Sequence, residues 1–329
     1  MTHSRNEAGG SLAGGHETGS GVTHRGDELR LLRDDVAVVD RSDRGHVLVT
    51  GVEARSFLQA LVSADLDPLT SGDGVRSLLL SPQGKLDVAF RALLVDDEVW
   101  LDTDPGFGAQ LAASLNRFRI RVAAEVRDRS DEFGMLSVIG PAVSATLFAG
   151  LPDALHAHVP YEGVRVVRTE HGVDLLGPND ALAGVRGAAP LDAIASAGAE
   201  AYDAWRIERG IPAQPNDIDE KTIPQEAELE RDAVSFTKGC FLGQELVCRI
   251  DSRGHVNRFL RRVHDIEGDW PIPGAEVVVD AKSVGSLTSV APADAPTGAL
   301  GYVRREVDPP AAVELRWDGG HAHARVDAL

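Results

Sequence analysis

The chain has 329 residues and a formal net charge of -18, with 43% hydrophobic and 26% charged residues. This composition is typical of globular protein, and the length is enough for two or three domains. The negative charge argues against phosphate-rich surfaces, so neither nucleic acid nor an anionic membrane is predicted as a direct partner. Two cysteines, Cys240 and Cys248, are too few for a disulfide scaffold or a zinc site built of cysteines.

The N-terminal segment, residues 1–28, is rich in Gly, Ser, Thr, His and Glu and has almost no large apolar side chain. Such a segment cannot offset its ordering entropy, so we expect a disordered tail. It contains no apolar core preceded by basic residues, and no secretory signal is predicted. No apolar run approaches the roughly 20 residues of a membrane helix. The expected location is the cytoplasm.

From residue 29 to about 255, strand and helix patterns alternate, which predicts an α+β region of two subdomains with a break near residues 130–135. Thr50 and Glu53 have the spacing of a capping box that opens a helix. Strands are predicted at 36–40, 47–50, 75–80, 88–95, 98–102, 120–126, 135–139, 164–169 and 172–176, and helices at 53–62, 106–118, 142–149, 179–185, 199–209 and 244–250.

Two further regions differ in character. Residues 211–237 are polar and contain three prolines, and a connection this long without periodicity is often functional. Residues 256–329 read as short strands separated by Gly and Pro turns, which is typical of a small all-β domain.

The densest chemical signal is the segment 235–249, in which Gly239 and Gly243 flank Cys240. Glycine permits backbone angles that other residues avoid. The pattern therefore indicates a specially shaped loop around a single thiol.

The residues near this thiol favour its reactive form. The predicted helix that follows has Gln244 and Glu245 in its first turn, so Cys240 lies near the positive end of a helix dipole. Lys238, two residues earlier, adds a cation. Both effects stabilise the thiolate, and they predict a lowered pKa for Cys240.

Each of these residues also has an ordinary structural interpretation. Most free cysteines are small buried hydrophobic residues, and this applies to Cys240 and, more strongly, to Cys248 among its apolar helix neighbours. Glu245 and Arg249 are four residues apart, the spacing of a surface ion pair on a helix. No histidine pair has the spacing of a helical metal site, so no metal ligands are predicted.

A family resemblance adds to this reading. Residues 238–245 resemble, over the whole motif, the YgfZ signature Lys-Gly-Cys-aromatic-x-Gly-Gln-Glu. Residues 206–212 are similar to the Arg-x-Glu-x-Gly-x-Pro segment shared with glycine-cleavage T-proteins, and 223–226 to the Pro-x-Glu that follows it. Gly254 and Arg258 resemble the glycine and arginine after the signature. The likeness runs from about residue 29 to 329, and the signature residues are Lys238, Gly239, Cys240, Phe241, Gly243, Gln244 and Glu245.

The resemblance implies a GcvT-like arrangement of α+β subdomains around a central folate site, with a small C-terminal β-barrel. It implies tetrahydrofolate or a derivative as cofactor, with Glu208, Arg206 and Arg258 as its binding residues. A carboxylate such as that of Glu208 can accept two parallel hydrogen bonds from an aminopyrimidine edge. The resemblance further implies transient partnership with iron–sulfur enzymes, with Cys240 as the reactive thiol and Lys238 beside it.

One position departs from the T-protein pattern. T-proteins use an aspartate after a glycine turn for aminomethyl transfer, and here Asp87 is near that position while the best register places Ala89 there. A slip of one residue in a strand turns a side chain to the other face, so Asp87 is not a simple replacement.

Three functions therefore remain open. The first is a folate-binding accessory protein of the YgfZ type that supports assembly or repair of iron–sulfur enzymes. The second is a tetrahydrofolate-dependent one-carbon transferase, which requires a carboxylate near the folate. The third is a non-catalytic binding module that keeps only the fold.

Overall fold

The computed structural model describes residues 25–143, 148 and 150–329. The first 24 residues of the predicted tail, and most of the helix predicted over 142–149, lie outside these described residues. Helix α1 (Arg25–Asp34) begins within the segment predicted as a tail.

Two leucines bury one face of helix α1. Leu29 and Leu32 are almost fully buried and belong to a core cluster shared with helix α5 (Ala199–Glu208). Burial of these two leucines offsets the entropy of ordering α1. The polar composition of the residues before them had predicted a disordered tail up to residue 28.

The first α+β unit is an antiparallel sheet of five strands in the order β3-β4-β5-β2-β6. Apolar residues of two helices pack with the sheet in one core, with Phe57 and Leu58 from the first helix and Leu111 and Leu115 from the second. The elements are β2 (Gly45–Thr50), α2 (Ala54–Leu61), β3 (Gly74–Leu80), β4 (Leu86–Val95), β5 (Glu98–Thr103), α3 (Gly108–Phe118) and β6 (Glu125–Asp128).

The second unit contains a six-stranded sheet in the order β11-β1-β7-β10-β9-β8, in which β1 and β11 pair in parallel. Strand β1 precedes the whole first unit in sequence but belongs to this sheet, so the two units are not separated by one cut near residues 130–135. The elements are β1 (Ala37–Asp40), β7 (Phe133–Ile139), β8 (His158–Tyr161), β9 (Val164–Thr169), β10 (Gly172–Pro178), α4 (Asn179–Arg186) and β11 (Ser196–Ala197).

The third unit is a closed barrel of six antiparallel strands, as the turn-rich sequence predicts. Burial alternates along its last strand, where Ala322, Ala324 and Val326 face the interior. Its strands are β12 (Arg258–Gly268), β13 (Glu276–Val279), β14 (Lys282–Val290), β15 (Ala299–Arg304), β16 (Ala311–Trp317) and β17 (Gly320–Asp327).

A shared core joins the three units. It contains Leu86 of the first sheet, Trp205 of α5, and Leu260 and Tyr302 of the barrel. Short helix α6 (Glu230–Ala233) and helix α7 (Gln244–Arg253) also contribute to this cluster. The long polar connection of the sequence thus leads to elements at the junction of all three units.

Two local predictions are corrected by the structure. Glu53 does not close a capping box, since its carboxylate accepts a hydrogen bond from the backbone of Ala123 (2.6 Å). The strand predicted over 120–126 is shorter and later, because Ile120 and Arg121 lie in an exposed connection before β6.

Candidate functional site

The signature loop, residues 234–243 between α6 and α7, lies along the C-terminal end of α2. The backbone N–H of Ser235 donates to the carbonyl of Ser63 (2.9 Å), and that of Leu242 donates to Leu61 (3.3 Å). The loop is therefore held by residues of the first unit, which are distant from it in the sequence.

Lys238 is the main anchor of this loop. Its ammonium donates to the carbonyl oxygens of Gln59 (2.7 Å), Val62 (2.8 Å) and Ala64 (2.7 Å). These carbonyls are at and beyond the last turn of α2, where a cation also meets the negative end of the helix dipole. Burial lowers the pKa of Lys238 to about 8. Lys238 thus caps α2, a role different from the predicted one as a cation for the thiol of Cys240.

Phe241 anchors the other side of the thiol. Its ring is buried in the shared core, and the Lys238 ammonium is 5.7 Å from the ring centroid. Cys240, between these two anchors, is exposed to solvent. The structural interpretation of Cys240 as a buried hydrophobic residue is therefore wrong, while Cys248 on α7 is half-buried.

Only one of the two glycines that flank Cys240 requires a backbone conformation that other residues avoid. Gly243 has φ +78°, and a Cβ there would approach the carbonyl oxygen of Ser81 to 2.5 Å. Gly84 in the same β3–β4 turn has φ +72° and touches α7 through Leu246. Backbone-to-backbone contact thus locks the start of α7 on this turn. Gly239 has neither a positive φ nor a near neighbour, so its predicted backbone role is not needed.

The remaining signature residues are less engaged. The backbone N–H of Gln244 bonds the carbonyl of Phe241 (3.3 Å) as α7 begins. Glu245 and Arg249 are both exposed, and no ion pair joins them within the described chain, contrary to the prediction.

Arg206, predicted to bind folate, is buried in a polar cluster. Its guanidinium donates to Asp217 (2.7 Å), Asp203 (2.6 Å) and Ser289 (3.0 Å). Asp217 also accepts from the backbone of Ala213 (3.0 Å). The cluster holds α5 to the following loop and to the barrel.

Arg258, also predicted to bind folate, is half-exposed at the start of the barrel. It donates to both carboxylate oxygens of Glu226, each at 3.1 Å, and stacks 4.1 Å above the ring of Tyr302. Burial raises the pKa of Tyr302 to about 12.

Glu208 lies at the end of α5. Its carboxylate accepts from Nε of Arg33 on α1 (2.8 Å), and 34% of the side chain is exposed. Glu208 is the one carboxylate among the three predicted folate residues, and Arg33 is its described side-chain partner.

Asp87 and Ala89 lie on opposite faces of the first sheet. Strand β4 has a bulge opposite Leu80, and Asp87 is the extra residue. The Asp87 carboxylate accepts from the Gln110 side chain of α3 (2.7 Å). Ala89 packs on the shared core instead, and its N–H donates to the side chain of Gln214 (3.1 Å). An amide, not a carboxylate, therefore contacts this position.

A buried ionic network that the sequence did not predict joins the two sheets. Arg91 on β4 donates to Asp102 on β5 and to Asp174 on β10, both at 2.8 Å. Asp102 also accepts from Arg44 (2.9 Å), and Asp174 from Ser137 (2.6 Å). Burial alone would raise the pKa of Asp102, but Arg91 and Arg44 outweigh it and lower the pKa. The sequence signal for this network was a charged residue inside each apolar strand. Charged side chains are almost never fully buried unless they are paired.

Three histidines near this network predict a pH dependence. Burial lowers the pKa of His46, His156 and His158 to about 4 each. The unfolded chain binds these protons near pH 6.5, so the folded state has fewer protons between about pH 4 and 6.5. The free energy of unfolding should therefore be full above about pH 6.5 and fall by up to about 3 kcal/mol per histidine towards pH 4.

Urea unfolding at pH 7.5, 6.0 and 5.0 tests this expectation before ordinary carboxylates titrate. His46→Phe should reduce the pH dependence, since both ring nitrogens of His46 are buried without a partner in the described structure. The exposed His321→Gln should leave it unchanged. Equal midpoints at pH 7.5 and 5.0 would contradict the prediction.

The described residues form neither a metal-binding cluster nor a membrane-spanning helix. No group of three or more His, Cys, Asp or Glu side chains there has an arrangement that could hold a metal ion. Among the same residues, no helix is long and apolar enough to cross a membrane.

Several known proteins are similar to this chain. Residues 19–175 match the GCVT N-terminal domain family. The chain is 24% identical to a putative chloroplastic transferase of Arabidopsis thaliana, over 90% of this chain and 72% of the relative. It is 29% identical to an aminomethyltransferase of Mycobacterium tuberculosis, over 80% and 75%. It is 27% identical to the tRNA-modifying protein YgfZ of Klebsiella pneumoniae, over 64% and 66%.

Among solved structures, the glycine cleavage system aminomethyltransferase T of Bartonella henselae superimposes with a TM-score of 0.78 at 22% identity, covering 93% of this chain and 88% of that one. This confirms the predicted α+β T-protein fold with its C-terminal barrel. The chain is thus similar to proteins of the GcvT family, among them aminomethyltransferases and YgfZ.

Proposed function

We propose that this protein binds tetrahydrofolate or a derivative and acts as a YgfZ-type accessory protein that supports assembly or repair of iron–sulfur enzymes. The observation that carries the proposal is the thiol of Cys240, exposed on a loop that Lys238 and Phe241 anchor on either side. A fixed, exposed thiol can exchange with a damaged cluster ligand, ligate iron transiently or react with a one-carbon unit.

Similarity to the GcvT family supports the folate part of the proposal, and Glu208 is our candidate for the aminopyrimidine edge. Its described partner, Arg33, donates to Oε2 (2.8 Å), and a folate would exchange with this guanidinium. Glu208→Gln should weaken tetrahydrofolate binding at least tenfold. Arg33→Met should preserve or improve it, because it frees the carboxylate. Equal affinities of wild type and Glu208→Gln in a fluorescence titration would remove Glu208 from the site.

The second candidate is a tetrahydrofolate-dependent one-carbon transferase. The names of the relatives favour it, since aminomethyltransferase is the commonest among them. The first sheet argues against it, because Asp87 bonds Gln110 on the α3 face while Ala89 and Gln214 take the opposite face. The third candidate, a non-catalytic binding module, predicts no folate binding and no effect of changing Cys240.

Genetic rescue separates the candidates. The gene is deleted in its host, and the activity of an iron–sulfur enzyme that modifies tRNA is measured after return of wild type, Cys240→Ser or Cys248→Ser at equal protein level. We expect wild type and Cys248→Ser to restore the activity and Cys240→Ser to leave most of it lost. Rescue by Cys240→Ser would show that the thiol is dispensable. An unchanged activity in the deletion strain, with aminomethyl transfer to tetrahydrofolate by the purified protein, would favour the transferase.

A further inference from the structure

A cavity of about 570 Å³ opens at one end of the second unit, beside α1, the β9–β10 turn and the last turn of α5. This volume lies in the range of small-molecule sites, roughly 300–1,000 Å³. The described residues that line it include none from the first sheet, the signature loop or the barrel. The cavity is thus distinct from the surface that displays Cys240.

Three arginines line this cavity. Arg33 is shared with Glu208, and Arg168 donates to the carbonyl of Pro152 (3.2 Å) and lies 3.8 Å from the fully exposed Asp153. Arg209 has only a stacking contact within the described structure, its guanidinium carbon being 5.9 Å from the ring centroid of Trp205. In a chain of net charge -18, three guanidinium groups at one cavity create a local positive potential.

Acidic residues cancel only part of this potential, since Glu208 pairs with Arg33 while the other carboxylates at the cavity are exposed. Asp153 and Glu170 also line it, but their side chains are 105% and 80% exposed, so water screens them. Arg168 has only 19% of its side chain exposed. Arg33 is 35% exposed and Arg209 is exposed, so the least solvated charge that lines the cavity is that of Arg168.

The same cavity has an apolar wall. Leu155, one of the few large apolar side chains left exposed, lines it with 48% of its surface in solvent. Trp205 borders it with His171 edge-on at 5.0 Å. The buried Nε1–H of Trp205 has no acceptor among the described residues, an arrangement that usually costs stability. Cationic side chains and apolar surface are thus combined in one cavity.

We propose that this cavity is a second small-molecule site, which takes an organic anion with a flat apolar body. The arginines would hold the anionic group, and Leu155 with the neighbouring apolar wall would cover the flat body. The proposal does not depend on folate binding or on Cys240.

The full chain is titrated with 1-anilinonaphthalene-8-sulfonate, an aromatic anion, and with N-phenyl-1-naphthylamine, its uncharged counterpart. We expect saturable one-to-one binding of the anion and none of the neutral compound. Arg209→Met and Arg168→Met should each weaken binding of the anion at least tenfold. Arg304→Met, which removes an exposed arginine of the barrel, should leave it unchanged.

Competition identifies the ligand class. Benzoate should displace the dye at concentrations at which inorganic phosphate does not, since phosphate lacks the apolar body. Equal displacement by phosphate would overturn the prediction that the ligand needs an apolar body. Displacement by tetrahydrofolate would overturn the assignment of a second site, because the cavity would then be part of the folate site. The proposal also fails if no saturable binding occurs, or if Arg209→Met and Arg304→Met bind the dye equally well.

Discussion

Replacing Lys238 by methionine should lower the free energy of unfolding by about 2–4 kcal/mol, because three carbonyl groups would lose a charged donor. The carbonyls belong to Gln59, Val62 and Ala64, and Lys238 is their shared cap. Methionine keeps the length of the side chain and removes only the ammonium. Urea unfolding monitored by circular dichroism measures the change.

The matched control is Lys282→Met, which removes an exposed lysine at the start of β14. We expect this control to change the free energy of unfolding by less than about 0.5 kcal/mol. An equal loss in both variants would show that the Lys238 contacts contribute nothing specific. Alkylation of Cys240 by iodoacetamide gives a second readout, since its rate should change in Lys238→Met if the cap fixes the loop, and stay constant in Lys282→Met.

Removing the guanidinium of Arg91 should be still more damaging. Arg91→Met leaves the carboxylates of Asp102 and Asp174 buried without their shared partner, and such a change typically costs about 3–5 kcal/mol. The same measurement of unfolding by urea applies. Because Arg91 bonds strands of both sheets, we also expect the loosened contact between the two units to increase proteolysis.

Two comparisons make this prediction specific. Arg76→Met breaks the exposed ion pair with Asp232, where both side chains are more than a third exposed, and should cost at most about 1 kcal/mol. Adding Asp174→Asn to Arg91→Met should recover part of the loss, since one stranded charge disappears. If the double variant is as unstable as the sum of the two single variants, the stranded charge is not the cause.

The sequence by itself determined much of the architecture. The hydrophobic periods of the strands and helices predicted the two α+β units and the barrel. These periods depend on which face of each element is buried. The motif around Cys240 also marked the loop that proves to be exposed at the junction of the three units. These features are local, so a single chain displays them directly.

What only the tertiary structure decided depends on partners distant in sequence. Lys238 caps α2, and β1 pairs with a strand of the second sheet. Neither contact produces a periodic pattern in the sequence. The bulge opposite Leu80 turns Asp87 towards α3 and away from Ala89, a difference of one residue that strand patterns do not resolve. Buried Arg91 needs carboxylates from two sheets. Hydrophobic period records burial of a face, whereas register and charge pairing arise only when separate elements meet.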